Sequence, residues 1–63
     1  MHPQRAELSS LSTTLGEVVE RITAAAERAD REQDELLASD LFDVERALLG
    51  AQRRLDGAVA KLR

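Results

Sequence analysis

Residues 8–29 read LSSLSTTLGEVVERITAAAERA and residues 37–62 read LASDLFDVERALLGAQRRLDGAVAKL. In the first stretch Leu8, Leu11, Leu15, Val18, Ile22, Ala25 and Ala29 recur at alternating spacings of three and four. In the second, Leu37, Leu41, Val44, Leu48, Ala51, Leu55, Ala58 and Leu62 do the same. A spacing averaging 3.5 residues keeps one side chain per half-heptad on one helix face, which is the pattern of a helix that packs lengthwise on another. Between the two stripes lies Asp30-Arg31-Glu32-Gln33-Asp34-Glu35, without an apolar member.

Laid antiparallel, the two stripes close on each other in one register. Paired residue numbers add to 66: Leu8–Ala58, Leu11–Leu55, Leu15–Ala51, Val18–Leu48, Ile22–Val44, Ala25–Leu41 and Ala29–Leu37. All layers are apolar, and four of them set leucine against alanine, the large–small alternation that fills a two-helix seam. The register centres on Gln33. The pattern predicts an all-α chain of one domain, residues 1–63, folded as an antiparallel, coiled-coil-like hairpin. Helix 1 is expected over about 5–30, a turn over about 31–36 and helix 2 over about 37–62. Two hairpins are then expected to dimerise into a four-helix bundle.

The turn is the open point. Helix C-caps favour Gly or Asn, and residues 17–49 contain no Gly, Asn or Pro. Ser39-Asp40 reads as a later N-cap, which would shift the turn to residues 38–40. The alternative is one continuous helix that pairs antiparallel with a second chain and forms the same seven layers in trans. Thr14-Leu15-Gly16-Glu17 reads as a capping box, and with the Ser/Thr cluster before it predicts a first helix that is firm only from about residue 14.

Composition bounds the function. A 63-residue chain without cysteine has neither disulfides nor thiolate metal sites to reinforce a small core. Association with other helices is the expected source of further burial. The net charge of −3 argues against general nucleic-acid binding. Charge is unevenly placed, with four basic and nine acidic residues in 1–40 and five basic and three acidic in 41–63. No stretch is long and apolar enough to span a membrane and no signal peptide is visible, so a cytoplasmic protein is expected. Eight arginines against one lysine suggest a GC-rich bacterial genome.

Three features carry candidate function. Off the main stripe, Phe42, Leu49 and Val59 on helix 2 and Val19 on helix 1 are read as a docking face for a second copy or another protein. Gly50 and Gly57, one heptad apart, are read either as a notch for close helix approach or as a weakly selected surface. Arg46, Arg53, Arg54, Lys61 and Arg63 form a basic end, read as an anion or acidic-partner contact or as a solvated face balancing acidic helix 1. Ion pairs Glu17–Arg21 and Glu27–Arg31 are expected within helix 1. His2 stands alone, and the carboxylates around residues 32–43 lack the spacing and glycine of a calcium loop. No catalytic residue, cofactor or metal site is assigned.

Glu35 and Ser39 resemble the first step of the Glu-x3-Ser-x2-Arg-x3-Gln-x3-Asp helix motif of bacterial anti-sigma factors that bind a cyclic dinucleotide. Phe42 stands where that motif has arginine, and Gln52 and Asp56 keep its last spacing out of register. The resemblance therefore implies a hairpin architecture and no ligand. The functional expectation is a small interaction or regulatory module, not an enzyme. It is expected to work by self-association and by docking of an unidentified protein partner, without catalysis; the alternative is a small transcription or nucleotide-responsive regulator, an anti-sigma-like hairpin, using the basic face of helix 2.

Overall fold

The computed structural model describes residues 2–62. Two helices, α1 (Arg5–Arg31) and α2 (Glu35–Ala60), pack along each other as an antiparallel hairpin about 49 Å long and 14 Å wide between Cα extremes. The chain turns, so the continuous helix is not formed.

The turn uses residues 32–34 and needs neither glycine nor asparagine. Gln33 takes φ 62°, in the left-handed region. Its N–H donates to the Asp30 carbonyl at 3.0 Å, and the Asp34 N–H donates to the Ala29 carbonyl at 2.9 Å. These are the two bonds of a Schellman C-cap, which satisfy carbonyls that the end of a helix otherwise leaves open. Asp34 then caps α2, its carboxylate accepting from the Leu37 N–H at 3.3 Å. Adjacent C- and N-caps make the turn shorter than the polar hexapeptide suggests, and they leave Ser39 inside α2. A side chain in the left-handed region costs about 1–2 kcal/mol relative to the right-handed one. Gln33→Gly relieves that strain and adds flexibility to the unfolded chain. The net expectation is stabilisation by about 0.5–1 kcal/mol, read as a higher midpoint in urea.

At the other end α1 begins at Arg5, well before Thr14. The His2 imidazole Nδ1 accepts from the Gln4 N–H at 3.1 Å, covering one donor at the helix start. Two hydroxyls of this stretch have partners: Thr13 donates back to the Ser9 carbonyl of its own helix, and Ser12 reaches across to Asp56. The Arg5 guanidinium donates to the Val59 and Leu62 carbonyls, at 3.3 and 2.9 Å, and ties the start of α1 to the last turn of α2.

The helices meet through residues that each follow a stripe residue by one. Ser12 bonds Asp56 and Thr23 bonds Glu45 across the seam, and a Cβ on Gly16 would lie 2.9 Å from Gln52 Nε2. In each of these pairs the residue numbers add to 68, where the leucine stripes predict 66. One residue is a rotation of about 100°, so both helices are turned by one position and the antiparallel register is otherwise kept. The same register sets Val19 opposite Leu49 and Ala26 opposite Phe42. Among the described residues, Ser12, Val19, Ala26 and Ala38 are buried at positions that follow a stripe residue, and Ala29, a stripe residue, is buried beside the turn.

Residue size and polarity account for this seam. Small residues at positions 12, 16, 26, 29 and 38 let two backbones approach. Gly16 makes room for the Gln52 amide, which reaches the Ser12 carbonyl at 3.4 Å. Between the two cross-helix hydroxyl–carboxylate bonds lie Gly16 with Gln52 and the apolar pair Val19 and Leu49, and each such bond contributes about 0.5–1.5 kcal/mol net.

Candidate protein-interaction site

Rotating both helices by one residue turns the leucine stripes away from the seam. The helices run in opposite directions, so an equal rotation about each axis brings both stripes to the same side of the hairpin. Leu11 is 49% exposed, Val18 39%, Leu37 46% and Val44 42%. Leu8, Leu15, Ile22, Leu41, Leu48 and Leu55 lie between these and the seam and are half-buried. The result is one apolar face made of two parallel rows of aliphatic side chains. Leu36, 83% exposed, extends it at the turn.

Burying a Leu or Val side chain completely is worth about 1.5–3 kcal/mol. The four most exposed stripe residues leave about half of that unrealised. Contiguous apolar patches of several hundred Å² are uncommon on chains that remain alone in water. The opposite side of the hairpin carries Ser9, Thr13, Glu20 and Glu27 from α1 and Ser39, Arg46 and Arg53 from α2, all exposed.

The residues expected to form a docking face sit elsewhere. Val19 is 7% exposed and lies inside the hairpin, so it is unavailable to a partner. Phe42, Leu49 and Val59 are half-buried at seam positions of α2, and Phe42 stands opposite Ala26, which is fully buried. Their off-stripe placement is legible in the sequence. What the sequence leaves open is which of two adjacent heptad sets on each helix meets the other helix.

The basic residues do not converge. Arg46 and Arg53 lie one heptad apart on the polar side, while Arg54 and Lys61 lie one heptad apart along the outer edge of the apolar face. Arg46 is paired with Asp43 on its own helix. Among the described residues this is the ion pair formed, in place of Glu17–Arg21 and Glu27–Arg31; Arg63 lies outside the described residues. An open groove of about 440 Å³ runs along α1 instead, lined by Val18, Arg21, Ile22, Ala24, Ala25 and Arg28. No protein-family model matches the chain, and neither curated proteins nor solved structures give a match. Among the described residues no helix is long and apolar enough to cross a membrane.

Gly50 and Gly57 have nothing within 4 Å of an added Cβ. Each alanine replacement removes a helix-interior glycine penalty of about 0.8–1.0 kcal/mol. Gly50→Ala with Gly57→Ala is expected to stabilise the chain by about 1–2 kcal/mol, seen as a raised Tm with unchanged solution mass. A fall in mass would instead make these positions a helix-approach notch.

Proposed function

We propose that this chain is a helix-docking module, not an enzyme, and that it self-associates through the face formed by its two leucine stripes to give a four-helix bundle. The single observation behind this reading is the joint exposure of Leu11, Val18, Leu37 and Val44 on one side of the hairpin. A hairpin that pairs through small and polar residues holds its largest aliphatic side chains in reserve for a second layer. This moves the docking surface from Phe42, Leu49 and Val59 to the neighbouring heptad set.

The size of the face fits the role. Cα extents of 49 by 14 Å give an area of about 700 Å², close to the ~800 Å² that each partner contributes to a standard interface. Sedimentation equilibrium tests the reading. The expected mass is twice the 6.9 kDa of one chain, and a mass of one chain across the micromolar range refutes self-association.

A further inference from the structure

The apolar face accepts a second copy in two directions, with the turns at the same end or at opposite ends, and this inference rests on the docking reading above. We infer that the two copies pair with their turns at opposite ends, α1 against α1 and α2 against α2, and that the charge distribution along the hairpin selects this arrangement.

The long edges of the face are complementary to a copy in either direction. The charged residues preceding the stripe residues on the outer edge are Glu7, Glu17, Arg21 and Arg28 on α1 and Asp40, Asp43, Arg54 and Lys61 on α2, all exposed. Each edge is acidic near its helix start and basic near its helix end. Both arrangements make each helix the antiparallel neighbour of a helix in the other copy, so both bring acid to base.

The ends discriminate. Around the turn, residues 27–41 hold six acidic side chains (Glu27, Asp30, Glu32, Asp34, Glu35, Asp40) and two basic ones (Arg28, Arg31), a balance of −4. At the open end, among the described residues before 15 and after 52, four basic side chains (Arg5, Arg53, Arg54, Lys61) face two acidic ones (Glu7, Asp56), a balance of +2. Turns at the same end set −4 beside −4 and +2 beside +2. Turns at opposite ends set −4 beside +2 twice, and the interactions at both ends become attractive. A two-fold axis crossing α1 near residues 16–17 also closes the α1 stripe on itself, Leu8 opposite Ala25, Leu11 opposite Ile22 and Leu15 opposite Val18. Every contact is then repeated by symmetry, as an isologous interface requires.

The chain has no cysteine, so Glu32→Cys provides a single nitroxide site on the exposed turn. Sedimentation mass and pulsed electron–electron dipolar spectroscopy on this labelled chain test the pairing together. At 1.5 Å per residue, residue 32 lies about 23 Å from the proposed axis. The expected result is a dimer with a label separation of about 45 Å. A dimer with labels on the order of 10–20 Å apart, the spacing of adjacent helices plus label arms, overturns the orientation and leaves the docking reading standing. Any mass other than a dimer's overturns both.

Discussion

Replacing Val18 and Val44 together by aspartate is expected to convert the proposed dimer to single chains. The two side chains stand on the open apolar face, one from each helix, at 39% and 42% exposure. In the lone hairpin each aspartate reaches water, so the monomer loses little beyond aliphatic contact. In the dimer both carboxylates, and their symmetry mates, would be enclosed among leucines. Burying a charge without a partner costs several kcal/mol, and the association constant is expected to fall by more than 100-fold, equivalent to about 3 kcal/mol. Sedimentation gives the mass and far-ultraviolet circular dichroism gives the helix content. Should dissociation also unfold the chain, Val18→Ser with Val44→Ser provides the milder perturbation, expected to weaken association while retaining helicity at high concentration. An unchanged mass for both double variants would remove the face from the interface.

The second large effect separates two adjacent alanines. Ala26 is fully buried, opposite Phe42 in the seam. Ala25, one residue earlier, points about 100° away and lines the open groove with Val18 and Ile22. Ala26→Leu forces a branched side chain between closely approaching helices, and overpacking of this kind costs about 1–3 kcal/mol. For a domain this small, each kcal/mol lowers Tm by roughly 4–8 °C. Ala25→Leu enlarges an exposed aliphatic row and is expected to change chain stability by less than about 0.5 kcal/mol. Thermal unfolding of the two variants side by side reads the rotation of α1 directly. Equal effects would mean that the helices meet through the leucine stripe after all.

Much of the fold is legible in the residues themselves. The two 3-4 stripes give helical segments and their antiparallel pairing, while the choice between a hairpin and one continuous helix pairing in trans is made by the turn at residues 32–34. The register needs only one residue of rotation on each helix to match the observed pairs. The turn is less legible, because its signature is a backbone state of Gln33 that the residue type does not favour. Only the Asp34 carboxylate, three residues before Leu37, gives a capping signal. Reading Phe42, Leu49, Val59 and Val19 as outward-facing rested on the assumption that the most apolar stripe closes the hairpin; the structure places them at seam positions instead.

The sequence alone determines that each helix carries two adjacent heptad sets, one wholly aliphatic, of leucine, valine, isoleucine and alanine, and one mixing small, polar and a few large residues. Either set spaces correctly for lengthwise packing, because both repeat every 3.5 residues. Only the tertiary structure decides between them. The mixed set offers small residues at Gly16 and the fully buried Ala26, and cross-helix bonds at Ser12–Asp56 and Thr23–Glu45. Those contacts depend on pairs of residues more than fifteen positions apart, so no local pattern records them. The choice sends the leucines outward together, and the face available to a second copy follows from it.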